Sequence, residues 1–312
     1  MENFSFTLGV VFPLIFYMLV GYACKLRGLI NKELALRINS LVFSLYMPMS
    51  LFLRSSQSFE IRRELVGVIA FTLSGMLLVF FISWFFYSRW VMEDKYLGSL
   101  IQSSYRTNLG LFGSALTYAL LQGKGTGIIE VLVAVYIPLA NVLSIFILQY
   151  YGSTKTSMKD TLIHVLKNPL IDAVLLGLVF SLLNIKIPDL LYGPMKSIAN
   201  IGTPLALISL GAIFSFEATK KIFKVLVVST IGRLVIVPLC MLSLAVLIGY
   251  RGETLIALLA VFASPVAVVT YSMSSSMGQD EELAGQILIF TSIFCAFSLF
   301  FFIFILKNLQ LI

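Results

Sequence analysis

Long apolar runs recur along this chain and constrain its fold more than any other feature. Of its 312 residues, 59% are hydrophobic and only 12% are charged. An apolar run of about 18 or more residues is typical of a helix that crosses a membrane, because only a helix satisfies its own backbone polar groups there. We therefore predict an all-α polytopic membrane protein.

The apolar runs divide into about ten predicted transmembrane spans. They lie near residues 4–24, 34–53, 65–87, 97–121, 128–151, 169–184, 198–216, 223–248, 254–277 and 283–306. The longest polar stretch separates the first five spans from the last five. We therefore predict a first five-helix repeat over 1–151, a cytoplasmic linker over 152–168 and a second five-helix repeat over 169–312.

Short motifs recur in corresponding spans of the two halves. Gly21 in span one and Gly177 in span six follow the same Pro-Leu-Ile triplet and are 156 positions apart. Asn108 in span four and Pro265 in span nine are 157 positions apart. Five spans per half force the second half to enter the membrane from the opposite side. The sequence therefore predicts an inverted repeat, as in many secondary transporters.

Basic residues gather in the loops after spans one and seven and in the linker. These segments share one side of the membrane if the N-terminus lies outside, and basic loops tend to stay in the cytoplasm. We predict a multi-pass protein of the cell membrane with both termini outside. The net charge of +7 fits contact with anionic lipid. The sequence has no stretch in which basic and aromatic residues alternate, as they would on a nucleic-acid-binding surface.

Spans four and nine carry helix-weakening residues at corresponding places. Asn108, Gly110 and Gly113 weaken span four, and Pro265 removes a backbone donor from span nine. Breaks in hydrocarbon are tolerated where a helix lines a cavity or packs in protein. We predict that the two broken helices cross at the midplane, with half-helix N-termini facing an anion. The alternative is a set of packing glycines and a tolerated kink.

Polar residues inside the spans are the remaining candidates for a transport site. Arg106 can clamp a carboxylate or can bond freed carbonyls as a structural arginine. Asn39 and Asn141 can line a wet cavity or bond between helices. Asp172 is a candidate for ion or proton coupling, or else caps or pairs near the head groups. Arg233 is expected to snorkel to an interface.

Other features indicate hinges and weigh against chemistry. Pro48 in span two and Pro204 in span seven occupy near-matching positions, and we expect each to kink or break its helix. The three cysteines lie in apolar runs without CxxC spacing, and the single histidine, His164, falls in the linker. We therefore expect no catalytic residues, no metal and no cofactor.

Several motifs together resemble one known family over nearly the whole chain. They are Arg106-x-Asn108-x-Gly110-x-x-Gly113, then Ser264-Pro265-Val266-Ala267 followed by Tyr271, Gly278 and Asp280, then Asn168-Pro169-Leu170, and Ile38-Asn39 with Pro48. In these residues the chain resembles the auxin efflux carriers, in their bacterial permease branch. One departure is Ala115, which stands where the family usually has a proline, so the break in span four would depend on its glycines.

The resemblance implies ten helices in inverted halves, a scaffold group and a transport group, and a substrate site at the crossing point. It implies organic anions as substrates: auxin in plant members, and malate- or malonate-like acids in some bacterial ones. Taken with the residues, it predicts substrate contacts at Asn108, Pro265, Arg106, Gly110, Asn39 and Asn141. The expected partners are a small organic anion and the lipid bilayer, without nucleic acid; a homodimer stays open.

The resulting hypothesis is a secondary transporter of a small organic anion that works by alternating access. A channel would also suit matched interruptions, but no ring of repeated filter residues is visible. An ion-coupled transporter or antiporter of another substrate class stays open. An intramembrane hydrolase is a remote third, because Gly113-Ser114 only faintly resembles a serine motif. The chain has no Walker A string, which argues against ATP-driven transport.

Overall fold

The computed structural model describes residues 2–56, 65–91, 93–121, 128–152, 169–214 and 216–312. The described part is helical, and its only β-type pairing is one isolated bridge. Residues 153–168 of the predicted linker, with His164, lie outside the described residues.

Fifteen α-helices and three short π-helical turns make up the described part. The helices are α1 (Glu2–Leu26), α2 (Lys32–Leu41), α3 (Met47–Ser55), α4 (Val66–Trp90), α5 (Asp94–Tyr105), α6 (Ser114–Leu120), α7 (Ile128–Tyr150), α8 (Pro169–Leu182), α9 (Asp189–Ile213), α10 (Phe216–Lys221), α11 (Phe223–Ile231), α12 (Val237–Ile248), α13 (Gly252–Ala263), α14 (Val268–Ser276) and α15 (Glu281–Asn308). The π turns cover Val42–Tyr46, Leu109–Gly113 and Gly232–Ile236. Such turns often mark functional sites inside long helices.

Six helical stretches of the described part are long and apolar enough to cross a membrane. They are Lys32–Ser55, Val66–Trp90, Val131–Tyr150, Asp189–Ile213, Phe223–Ile248 and Glu281–Asn308. Two shorter apolar stretches are Ile15–Leu26 and Gly252–Ala263. For the described residues, the prediction of a helical protein with several helices long and apolar enough to span a membrane is therefore confirmed.

Large apolar side chains cover the outer faces of the long helices. Phe81 and Phe85 of α4 are about 60% exposed, and Phe297, Phe301 and Phe304 of α15 are similarly exposed. A soluble protein rarely presents so extensive an apolar surface. These faces suit contact with lipid tails.

Helices occupy every segment in which the sequence predicts a span, but the start of span seven was predicted too late. Helix α9 begins at Asp189, nine residues before the predicted start at 198. Its first half carries polar residues, among them Lys196 and Asn200, that read as a loop in the sequence. In the structure these two residues are exposed and line a cavity between helices.

Two pairs of helices cross in close contact at glycines. A Cβ atom at Gly21 of α1 would overlap the carbonyl group of Ile208 in α9. A Cβ atom at Gly177 of α8 would lie 2.7 Å from the carbonyl oxygen of Phe52 in α3. Small residues permit such close approach of helices in membranes. These crossings fix α1 against α9 and α3 against α8.

Candidate functional site

Two interrupted helices meet where the sequence predicts breaks. Helix α5 stops at Tyr105 and α13 stops at Ala263, and the chain then runs extended before a helix resumes. The extended residues 106–108 and 264–267, here called the crossover, form one antiparallel bridge. The N–H group of Asn108 in one segment donates to a carbonyl oxygen of the other at 2.9 Å.

The breaks free carbonyl groups that a continuous helix would use. Pro265 has no N–H, so the carbonyl of Val261, four residues earlier, loses its helical donor. The N–H of Asn108 donates to the Pro265 carbonyl, so the carbonyl of Ser104 loses its donor as well. Buried carbonyls of this kind need other partners.

Arg233, in the π turn between α11 and α12, supplies those partners. Its Nη1 donates to the carbonyl of Ser104 at 3.3 Å. Its Nη2 donates to the carbonyls of Ser264 at 2.7 Å and Val261 at 3.5 Å. The residue is only 1% exposed, so the prediction that Arg233 snorkels to an interface is wrong. The freed carbonyls, at the negative ends of two helix dipoles, favour a cation deep in the protein.

Arg106 anchors the crossover to α7. Its Nη1 donates to the carbonyl of Ala140 at 3.2 Å, and its Nη2 donates to Oδ1 of Asn141. The hydroxyl of Tyr136, also on α7, donates to the carbonyl of Tyr105 at the end of α5. Arg106 is buried, and Asn141, another predicted site residue, positions its guanidinium. Neither of these two partners of Arg106 is acidic.

A cavity of about 110 Å³ adjoins the crossover. We call it the crossover cavity. Most of its lining is apolar, and its polar lining includes Ser50, Arg54, Arg106, Thr107, Asn108 and Thr203. None of the described residues that line it is acidic. The two arginines therefore give the cavity a positive character.

Several buried polar atoms at the crossover lack a partner within the described protein. They include Nδ2 of Asn108, Oγ1 of Thr107 and Nδ2 of Asn141. A buried polar group without a hydrogen bond costs about 1–3 kcal/mol. Asn108 and Thr107 are among the residues that line the crossover cavity, so these atoms lie beside the space that a polar ligand or water would occupy.

Comparison with known proteins identifies the family. The sequence matches the family profile described as "Membrane transport protein" over residues 6–303. The chain belongs to this family, the auxin efflux carriers. An uncharacterized transporter of Methanocaldococcus jannaschii, MJ1031, is 24% identical over 305 residues, which cover 92% of this chain and 94% of that protein. The uncharacterized transporter YfdV of Escherichia coli K12 is 24% identical over 279 residues, covering 84% and 86%.

Membership of this transport family confirms the resemblance that the motifs indicate. Both relatives match this chain along most of their length and are named as transporters. The chain is accordingly a multi-pass membrane transport protein.

Gly110 and Gly113 make room around the crossover. A Cβ atom at Gly110 would lie 2.5 Å from Nη1 of Arg54 and 3.3 Å from Cδ1 of Ile137. A Cβ atom at Gly113 would lie 2.7 Å from Cδ1 of Leu109. Larger residues at either position would displace groups beside the cavity.

Arg54 is a site residue that the sequence alone does not indicate. The predicted second span ends at 53, which leaves Arg54 in a loop, whereas α3 continues to Ser55. Arg54 lines the crossover cavity, and its Nη1 donates to the carbonyl of Gly110 at 3.4 Å. Nothing in the sequence separates Tyr136 from the many other aromatic residues of the spans.

Asn39, Asp172, Pro48 and Pro204 are not among the described residues that line the crossover cavity. The Nδ2 of buried Asn39 donates to the carbonyl of Ser272 at 3.2 Å, which joins α2 to α14. Asp172 is exposed in the first turn of α8. Pro48 follows a π turn at the start of α3, and Pro204 lies inside α9 beside the cavity-lining Thr203.

Proposed function

We propose that this protein is a secondary transporter that carries a small organic anion across the cell membrane by alternating access. The substrate would be a carboxylate, such as a malate- or malonate-like acid or an auxin-like aromatic acid. The observation that carries the proposal is the crossover cavity, with its two arginines, its unpaired Asn108 amide and its described lining without acidic residues.

The donors at the cavity suit a carboxylate. The amide of Asn108 supplies N–H groups, and the guanidinium of Arg106 supplies positive charge at short range. Leu109 and Gly110, which begin the helical turn after the break, also line the cavity. The first N–H groups of a helix have no partner within it and favour an anion. The apolar remainder of the lining suits the hydrocarbon part of an organic acid.

The close glycine crossings support two inverted five-helix repeats with ten spans. Gly177 follows Gly21 by 156 positions, and Ile208 follows Phe52 by the same 156 positions. The contact of Gly21 with Ile208 is therefore equivalent to the contact of Gly177 with Phe52. A pseudo-two-fold relation between the halves produces such reciprocal contacts, and it is the geometry on which alternating access is built in many transporters.

The two ends of the second span differ in a way that fits one state of an alternating-access cycle. The lining residues that the structure describes on this span lie between Val42 and Arg54. Toward the other end, Lys32 of α2 pairs with Glu281 of α15 at 3.3 Å. Asn39 bonds to α14 at the same end. The cavity thus lies toward one end of the helices while the opposite end is held by polar contacts.

The proposed orientation, with both termini outside, puts the cavity end toward the exterior. Cysteine variants at Ser153, in the linker beyond the described residues, and at Asn308 test it in intact cells. Impermeant thiol reagents are expected to label Asn308→Cys from outside and Ser153→Cys only after permeabilisation. Labelling of both from one side would contradict five spans after the linker.

Thermal-shift measurements on the purified protein test the substrate class. A ligand that binds only the folded state adds about 2.7 kcal/mol of stability at a concentration of 100 times Kd. Malate, malonate and indole-3-acetate are expected to include at least one that raises the melting temperature, whereas the matching amides and cations are not. Stabilisation by cations alone would contradict an anion site.

A further inference from the structure

A second cavity of about 320 Å³ adjoins the crossover cavity. Four residues line both: Ser50, Arg54, Ile137 and Ala199. The rest of its described lining comes from the end of α3, the first half of α9, the start of α6 and the middle of α7. The second cavity is the larger of the two and lies on the side of the crossover cavity away from Lys32.

The charge of the second cavity has one sign. Arg54 and Lys196 are its charged lining residues, and none of the described residues that line it is acidic. The Nζ of Lys196 lies 5.8 Å from the ring centre of Tyr192, which also lines this cavity. Its other polar lining residues include Ser50, Ser55, Ser114 and Asn200.

Arg54 keeps binding capacity for a ligand. Its Nη1 donates to the carbonyl of Gly110 at 3.4 Å, near the upper limit for such a bond. A guanidinium has five N–H donors arranged to fit a carboxylate. Because Arg54 lines both cavities, an anion bound to it in the second cavity already touches a wall of the crossover cavity.

Two like charges in a recess with apolar walls act together on a mobile anion. Low-dielectric walls focus the field of charges inside a cleft. The local concentration of counter-ions and their association rate rise by about 10-fold to 1,000-fold as a result. We propose that the second cavity is a separate anion subsite, which takes a small carboxylate from the aqueous side through Lys196 and Arg54 before it reaches Asn108. The proposed transfer to Asn108 rests on the proposed function, whereas the anion subsite itself does not.

Charged thiol reagents measure the potential of this cavity without an identified substrate. The reporter is Asn200→Cys, in a background in which Cys24, Cys240 and Cys295 are alanine. Labelling rates are compared for methanethiosulfonate reagents that carry a sulfonate or a trimethylammonium group, and the ratio is divided by that of a free thiol. Ser114→Cys, at the start of α6, is the second reporter if Asn200→Cys does not express.

The inference predicts a ratio that favours the anionic reagent by about tenfold or more. Arg54→Gln and Lys196→Gln are each expected to lower the ratio severalfold. Lys186→Gln is the matched control, because Lys186 is an exposed lysine in the α8–α9 loop and does not line the cavity; it is expected to leave the ratio unchanged. A ratio equal to that of the free thiol, or one that neither variant lowers, would overturn the inference.

Protection by malonate separates this inference from the proposed function. If the second cavity is a distinct subsite, malonate slows labelling of Asn200→Cys by the anionic reagent, and Asn108→Ala leaves that protection in place. If malonate does not bind at Asn108 but still protects Asn200→Cys from labelling, the proposed function is contradicted and the subsite is retained. Loss of protection in Asn108→Ala would show one site only and would overturn the subsite.

Discussion

At the scale of single residues, the crossover is defined by the hydrogen-bond partners of its backbone groups. Pro265 cannot donate and Asn108 donates across the bridge, so two carbonyls turn to Arg233. Arg106 is held by Asn141 and leaves its charge beside the cavity. The unpaired amide of Asn108 is what remains for a ligand. Each of these roles predicts a different outcome on substitution.

Asn108→Ala is expected to weaken carboxylate binding by about tenfold, equivalent to about 1.4 kcal/mol. The reason is the loss of a buried donor that has no other described partner. The melting temperature without ligand should change little, because the folded protein loses no recorded side-chain bond. Binding is measured by titration with the carboxylate that stabilises the parent most. An unchanged Kd would move the site away from Asn108.

Arg233→Leu is expected to destabilise the fold by about 2–5 kcal/mol, since three buried carbonyls lose their donor. Arg233→Lys keeps the charge and is expected to recover part of the loss. Thermal unfolding in detergent measures the effect. The control is Arg37→Leu, because Arg37 is exposed and pairs only with Glu33 on its own helix in the described structure. Equal stability of Arg233→Leu and the control would show that Arg233 does not hold the crossover.

At the scale of helices, the break between α13 and α14 contains Pro265. Pro265→Ala restores the N–H that can donate to Val261, so the extended segment is expected to gain helical bonds. The variant should unfold at a higher temperature and transport more slowly, because a continuous helix no longer presents the crossover. Uptake into proteoliposomes and thermal unfolding measure the two effects. Normal transport by a more stable variant would contradict a role for the break.

Some of these elements follow from the sequence and others do not. The spans follow from apolar runs, and the two breaks follow from Asn108, Gly110 and Pro265, whose backbone effects are local. The start of α9 does not follow in the same way, because Lys196 looks like a loop residue in the sequence but lines a cavity formed with helices distant in the chain. The inward direction of Arg233 likewise depends on carbonyls freed elsewhere in the chain. Such tertiary effects leave no local pattern.

At the scale of the whole molecule, the pair between Lys32 and Glu281 joins two helices at the end away from the cavities. Glu281→Lys places like charges together and is expected to open this end more often. The reporter is Ser272→Cys, whose labelling should rise by up to about fivefold, since an exposed pair contributes about 1 kcal/mol at most. Lys32→Glu combined with Glu281→Lys should return the rate toward the parent value.

The control for this experiment is Glu33→Lys, which breaks the pair of Glu33 with Arg37 within α2. Because both residues of that pair lie on α2, the pair does not connect two helices, and labelling of Ser272→Cys should not change. A rise in labelling with the control, or no rise with Glu281→Lys, would rule out a latch between Lys32 and Glu281.

Counterflow in proteoliposomes tests the central claim most directly. Vesicles that contain the purified protein are loaded with unlabelled malonate, or with whichever carboxylate stabilises the protein most, and are given a trace of the same anion in radiolabelled form outside. A carrier that alternates access at Asn108 predicts saturable uptake, stimulated by the internal anion and reduced in Asn108→Ala. Uptake that does not saturate and is not stimulated by the internal anion would contradict a carrier and indicate a channel.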